Sequence, residues 1–315
     1  MIKKVVYAII FLITSYSLEA QVIKTELPDT ISNWEKVNKV GLDFTQITFV
    51  NWSAGGNNSI SGLAKGQFIR NYKYENFKWS NELLMRYGVN KQEGQDLRKT
   101  DDAVQLNSTM GYRTDTISNW FHGGKFTFQS QFANGYNYPN VNKAISKPFA
   151  PAYIFLGIGS EYSRKDLGFN LYLSPLTMKM TMVLDRRLAN EGAFGVDKAV
   201  YDAVTGEIIT NGKKTRTELG ALITGQFKKE VFKNIIYDTR ATLYTDYLKD
   251  FGNIDVDWQN YLEMTVNKYV KANLGIHMIY DNDIKTKEEV DGVQVIKGPK
   301  LQLKQIIAIG LSYSF

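Results

Sequence analysis

The sequence predicts an all-β protein: a transmembrane, antiparallel, up-and-down β-barrel of about 12 strands, preceded by a cleavable signal peptide. Three observations predict it. The chain opens on an export signal, it alternates apolar and polar residues with a period of two over long runs, and its turns are short at one end of those runs and long at the other.

Composition alone points elsewhere. Of 315 residues, 43% are hydrophobic and 22% charged, which excludes a disordered chain. A mean hydropathy of −0.28 is too polar for a helical membrane protein and reads as soluble. Aromatic residues reach 13%, with 19 Tyr and 17 Phe, and such side chains suit a pleated sheet. The absence of cysteine excludes disulfides, thiolate metal sites and a lipidated N-terminal Cys.

Residues 1–20 read as the signal peptide. Lys3 and Lys4 form a positive n-region, an apolar run follows from Val5 to Ile13, and Leu18 and Ala20 precede a cut before Gln21. The run is too short for the ~20 residues of a spanning helix. Residues 21–36 form a short periplasmic segment, and 37–315 the outer-membrane barrel.

Strand-like runs occupy 37–50, 58–74, 77–91, 102–115, 121–136, 153–165, 168–184, 215–229, 233–248, 253–267, 270–283 and 300–315. At 13 to 17 residues they exceed the ~5–6 of soluble strands and suit tilted membrane strands of ~9–11 that protrude further. Connections near 75–76, 115–120, 164–166, 228–230 and 268–269 are short. Those at 51–57, 92–101, 137–152, 185–214 and 284–299 are longer, with 249–252 a short exception. Outer-membrane barrels show this asymmetry, and an even strand count leaves both termini on the short-turn side. Aromatic residues mark both ends, among them Trp79, Trp120, Tyr162 and Phe315 at one and Phe49, Tyr138, Tyr247 and Phe251 at the other.

The last strand shows the faces best. Phe315, Tyr313, Leu311, Ile309, Ile307, Leu303 and Leu301 share one parity, broken only by Gln305. Lipid-facing sets elsewhere include Leu83, Met85, Tyr87 and Val89, then Leu219, Ala221, Ile223 and Phe227, then Leu274, Ile276, Met278 and Tyr280. The opposite parities predict a lumen-facing polar network of Glu82, Arg86, Arg113, Glu161, Glu218, Asp238, Arg240, Asp255, Asp257, Glu263, Lys271, His277 and Lys304; Lys125 and Asp246 share that parity. In strand seven the apolar parity switches at Ser174-Pro175, where a bulge would reset it. A soluble sandwich is the structural alternative.

Catalytic motifs are few. The chain has 2 His, with no G-x-S-x-G elbow, no H-E-x-x-H and no glycine-rich phosphate loop after a strand. His122 lies by a short turn. His277 with Asp281, Asp283 or Glu263 is the one constellation that could serve a barrel enzyme; a lumen hydrogen-bond role is the plainer reading. Asp281-Asn282-Asp283 lacks the glycine and terminal glutamate of a calcium loop and reads as solvated. Neither a metal nor a cofactor is expected. A pI near 9.1 comes from basic residues interspersed with acids, which speaks for lipid headgroups rather than nucleic acid.

Several motifs carry a resemblance: Asn51-Trp52-Ser53-Ala54-Gly55-Gly56, Arg98-Lys99-Thr100-Asp101-Asp102, Gln131-Phe132-Ala133-Asn134-Gly135-Tyr136, Phe149-Ala150-Pro151-Ala152-Tyr153, Leu173-Ser174-Pro175-Leu176-Thr177, Gly192-Ala193-Phe194-Gly195-Val196-Asp197 and Gly298-Pro299-Lys300. With these in view, from about Trp34 to Phe315, the chain resembles an outer-membrane β-barrel family of Bacteroidota-type bacteria whose domain has no assigned function. The resemblance implies an outer-membrane barrel and no activity. Asn51, Trp52, Gly55 and Gly56 form a loop motif where ligand or partner contacts would concentrate.

The reading is a non-enzymatic, porin-like protein of the bacterial outer membrane. It would act as a narrow pore for small solutes, or as a structural or partner subunit of an envelope complex. Its partners would be outer-membrane lipid, the assembly machinery through the C-terminal strand, and a protein of that complex. A lipid or peptide hydrolase with a site at the extracellular rim near His277 is the alternative, and loops 137–152 and 185–214 offer a binding surface.

Overall fold

A computed structural model describes residues 33–47, 58–249, 251–290 and 293–315. The expected signal peptide and the loop motif Asn51, Trp52, Gly55 and Gly56 lie outside the described residues, as does Phe49.

Twelve strands close into one antiparallel barrel. In chain order they are β1 (Trp34–Ile47), β2 (Ser59–Tyr74), β3 (Phe77–Gln92), β4 (Arg98–Tyr112), β5 (Trp120–Ser130), β8 (Ala152–Arg164), β9 (Phe169–Met182), β12 (Thr215–Phe232), β13 (Ile235–Asp246), β14 (Asp255–Thr265), β15 (Val270–Tyr280) and β18 (Gln302–Ser314). Each pairs with its predecessor, and β1 pairs with β18 from Lys39↔Ser314 to Phe44↔Ile309. Closure removes both sheet edges, so every strand's backbone groups find partners without water, which a bilayer demands. Among the described residues no helix is long and apolar enough to cross a membrane.

Apart from a 3-10 turn at Lys165–Leu167 in a short connection, the other elements sit in the long loops. They are the hairpins β6 (Gly135–Asn137) with β7 (Asn140–Ser146), β10 (Val200–Tyr201) with β11 (Ile208–Thr210), and β16 (Lys285–Val290) with β17 (Val293–Pro299), and helix α1 (Arg186–Asn190). A small core of Ala150, Val183, Leu188, Ala189 and Val196 ties two of those loops together.

Many expected strand ends move by a few residues, and three of the changes have a visible cause. The fifth strand, expected to reach 136, ends at Ser130, because the Asp102 carboxylate takes the N–H groups of Phe132 (2.7 Å) and Ala133 (2.9 Å) and draws the chain off the ladder. The loop expected at 92–101 shrinks to 93–97, since β4 starts early and absorbs a bulge opposite Gly88 and Val89. The first strand begins at Trp34, where the Trp34 ring lies 5.2 Å from Tyr72 and 5.8 Å from Trp79.

The parity switch in β9 has its bulge. Ile158 pairs with Leu176 while Ser160 pairs with Leu173, and β12 shifts by the same residue between Gly220 and Leu222. Ser174 holds the kink through hydroxyl bonds to the carbonyls of Ile158 (2.9 Å) and Leu176 (3.0 Å).

The outer surface is apolar. On β18, Leu303, Ile307 and Ile309 are 65%, 71% and 65% exposed, while Gly310 and Ser312 on the opposite parity are buried. Leu156, Ile158, Leu176, Leu219 and Ile223 continue that exposed belt. Ring pairs crowd the short-turn end: Trp120–Tyr162 at 5.1 Å, Tyr162–Phe169 at 6.4 Å and Tyr313–Phe315 at 5.7 Å. Tyr247–Phe251 at 5.9 Å marks the other. A closed barrel with a lipid-compatible belt between aromatic rims is an outer-membrane protein.

Candidate functional site

The charged residues inside the barrel make the candidate site. In a twelve-membered ring β3 and β13 stand six places apart, directly opposite each other. Arg240 on β13 nonetheless reaches Glu82 on β3, Nη1 to Oε2 at 2.9 Å and Nη2 to Oε1 at 3.3 Å. Such a bond can run only through the lumen, and it spans the full width. Gln67 (2.5 Å) and Asn107 (3.4 Å) also donate to Glu82, and Asp238 steadies Arg240 at 3.4 Å. Lys228 bonds Asp238 at 3.1 Å.

Other contacts cross at different heights. Toward the short-turn end, Glu263 accepts from Lys39 (2.7 Å) and Lys271 (2.5 Å), with β15 and β18 lying between β14 and β1. Glu161 pairs with Lys78 at 2.9 Å and accepts from Asn170. Arg113 serves the turn instead, donating to the Ser118 carbonyl at 3.1 Å with its guanidinium over the Phe121 ring. Midway, Lys125 donates to Thr224 at 2.7 Å across β8 and β9. Higher up, Asp101 takes Lys304 (3.1 Å) and Arg86 (3.5 Å), and Arg86 reaches the Tyr261 hydroxyl at 3.4 Å.

At the long-loop mouth, Lys179 on β9 pairs with Asp255 on β14 at 2.8 Å and stands 3.9 Å from Glu218 and from Asp281. Arg216 bonds Asp283 (2.7 Å), Glu218 (3.1 Å) and the Gly195 carbonyl (3.3 Å). It thereby ties two long loops to β12. Burial holds the Asp281 carboxyl above its ordinary range, although Lys179 opposes the shift.

His277 meets Asp257, Nε2 to Oδ1 at 2.8 Å, rather than the carboxylates considered for it. Asp281, Asp283 and Glu263 are engaged by Lys179, Arg216, and Lys39 with Lys271. The proposed His277 constellation therefore does not assemble, because each carboxylate has a nearer cation. His122 lies on the outer parity, its Nδ1 2.8 Å from the Ser160 hydroxyl.

Sequence reasoning named both halves of Glu82–Arg240 and Lys271–Glu263 but missed one half of several other pairs. Lys39, Lys78, Asp101 and Lys179 belong to the interior, and each lies on the parity opposite its strand's apolar residues, a signal that was available. It also missed an apolar cluster inside the barrel. Tyr172, Leu222 and Tyr244 are 3% exposed and pack with Phe155 beneath the mouth. Lys125 and Lys179 place their ammonium groups 5.5 Å and 5.0 Å from the Tyr172 and Tyr244 ring centroids. An apolar-out rule assigns no inward place to such residues.

A family model described as "Protein of unknown function (DUF3078)" matches residues 44–136, the first third of the barrel. Among solved structures, the translocator domain of the autotransporter NalP from Neisseria meningitidis is similar at 10% identity and a TM-score of 0.39, covering 92% of this chain and 91% of that one. An outer-membrane channel from Pseudomonas putida F1 is similar at 10% identity and a TM-score of 0.40, covering 89% and 95%. No curated protein matches in sequence. At such scores the likeness carries no argument; the closed barrel and its apolar belt carry it. The chain is a bacterial outer-membrane β-barrel.

Proposed function

We propose that the protein is a non-enzymatic outer-membrane barrel whose lumen is closed at rest by its own side chains, and that it serves as a structural or partner subunit of an envelope complex. The observation behind this reading is the Glu82–Arg240 bond across the full diameter. Twelve strands enclose a lumen between the filled barrels of eight and the open ones of sixteen, so side chains alone suffice to close it. The likeness to the Bacteroidota-type barrel family over Trp34–Phe315 belongs to the same reading. It rests on the quoted motifs, of which those within 44–136 fall under the matching family model.

Planar-bilayer recording tests it. The wild type should pass no unitary current, and the double variant Glu82→Ala, Arg240→Ala should conduct. Steady single-channel steps from the wild type would favour the second reading, a narrow pore for small solutes, which the polar lining supports. Hydrolysis of lipid or peptide substrates lost on His277→Ala would overturn both.

Assembly through the C-terminal strand is part of the proposal. Tyr313 and Phe315 stack at the short-turn end of β18, on the exposed parity. Removing Phe315 should slow membrane insertion, read as the fraction of heat-modifiable folded band after pulse labelling; an unchanged rate would separate this residue from assembly.

A further inference from the structure

The mouth of the barrel holds more negative charge than its own cations neutralise. A cavity of about 20 Å³ lies there, lined by Glu218, Asp246, Asp255 and Asp283 together with Arg216 and Lys249. Lys179, which bonds Asp255 of that lining, also stands 3.9 Å from Asp281. Among the described residues, five carboxylates thus face Lys179, Arg216 and the exposed Lys249. The imbalance falls on Asp246. It is 8% exposed, accepts one backbone N–H from Leu248 at 3.0 Å, and pairs with no cation among the described residues. A buried carboxylate with no cation at contact distance leaves room for a bound positive charge.

Tyr244 supplies an independent sign. Two residues before Asp246 on the same face of β13, it is 3% exposed, and its hydroxyl has no hydrogen-bond partner among the described residues. That hydroxyl sits in the field of Glu218, Asp246 and Asp255. Gly220, opposite Asp246, makes room for it: a Cβ there would lie 2.9 Å from the Tyr244 ring carbon that bears the hydroxyl. A buried hydroxyl with both its functions unused, aimed into a group of carboxylates, suits a bound ion and its water.

We propose that the mouth binds a small divalent cation from outside the cell, with Asp246 and Asp255 as its carboxylate contacts and the Tyr244 hydroxyl held by its water. Hard cations take oxygen ligands and keep part of their hydration. Among the described residues no group of three or more His, Asp or Glu side chains is arranged to hold a metal, so water would have to complete the ion's shell. The cavity is large enough for a water-sized occupant, for which ~10–15 Å³ suffices. The ion would also fasten the loops that Asp283 and Gly195 bring to Arg216.

Calcium is the probe. The full chain, refolded in detergent free of lipopolysaccharide, should show a higher thermal-unfolding midpoint in CaCl2 than in NaCl of equal ionic strength. Concentrations should reach weak extracellular sites, with Kd on the order of 10⁻⁴–10⁻³ M. Asp246→Asn should abolish that rise while being at least as stable as the wild type without calcium, since it removes the uncompensated charge. Tyr244→Phe should reduce the rise. No rise in the wild type, or an equal rise in Asp246→Asn, overturns the proposal. Stabilisation by acid in place of calcium also overturns it, because a proton then fills the role. If Asp246→Asn fails to assemble, equilibrium dialysis of the wild type with Ca²⁺ decides: one ion per chain supports the site, and none overturns it. None of these readouts depends on whether the lumen conducts.

Discussion

Gly310 shows how tightly single residues are specified inside the barrel. A Cβ there would stand 1.8 Å from Asp43 Oδ1 and 2.9 Å from the Leu42 carbonyl oxygen. Asp43 is 4% exposed and bonds Lys65 at 2.8 Å, so it cannot move aside without losing that pair. Gly310→Ala should therefore destabilise the barrel by about 1–3 kcal/mol, as overpacking does. The check is the denaturant midpoint in detergent, and an unchanged midpoint would show that Asp43 has room. At Arg240, truncation to Ala strands Glu82 in the lumen. Breaking a fully buried pair costs about 3–5 kcal/mol. The loss here should be smaller, because the Glu82 and Arg240 side chains are 18% and 24% exposed. Glu82→Gln, Arg240→Met together should recover part of it; a double variant worse than either single one would contradict a pairwise bond.

Strand β9 makes its prediction through register. Above Pro175 it turns Leu176, Met178 and Met180 outward and Thr177, Lys179 and Thr181 inward, the reverse of the parity below. Deleting Pro175 would remove the extra residue of the bulge and carry one parity through, with Met178 and Met180 still outward and Lys179 still inward. That variant, like Pro175→Ala, should therefore still give a heat-modifiable folded band; loss of the band on deletion alone would show that the barrel needs the kink itself. Helix α1 offers a pH test. The hydrogen bond from Lys147, with the Leu188 N–H, holds the Asp185 carboxyl below its ordinary range. With the folded value depressed, its contribution is fully present above the unfolded carboxyl pKa of about 3.9 and fades as pH falls through the folded value. Protease cleavage within 183–214 should accordingly rise as pH drops from about 4 toward 2. Asp185→Asn, which retains a cap without a titrating group, should show a smaller acid step, the remainder coming from Asp197, held low by the Lys213 hydrogen bond, and Asp202, held low by the Thr205 and Val204 N–H groups.

For the whole molecule, alternation and closure act together. The apolar parity needs an apolar solvent and the charged parity needs partners, and a closed barrel in a bilayer satisfies both. The mean hydropathy of −0.28 averages these two faces with polar loops, which explains why composition alone suggested a soluble chain. A closed lumen predicts little permeability: liposomes carrying the wild type should swell no faster in small sugars than empty ones. Rapid swelling would require the cross-lumen bonds to be open at rest.

Strand number, order and sidedness were all legible in the sequence, because each follows from local patterns: period-two alternation, turn lengths and the parity switch at Pro175. The polar residues of the interior could also be read by parity. Their partners could not. Which acid meets which base across a lumen depends on strand tilt and register summed around the ring, so Glu82 finds Arg240 and His277 finds Asp257 by geometry that no local window contains. The inward cluster of Phe155, Tyr172, Leu222 and Tyr244 was hidden for a related reason. Near the mouth the barrel interior packs as a protein core does, and those side chains meet because the registers of the neighbouring strands β8, β9, β12 and β13 bring their inward positions together.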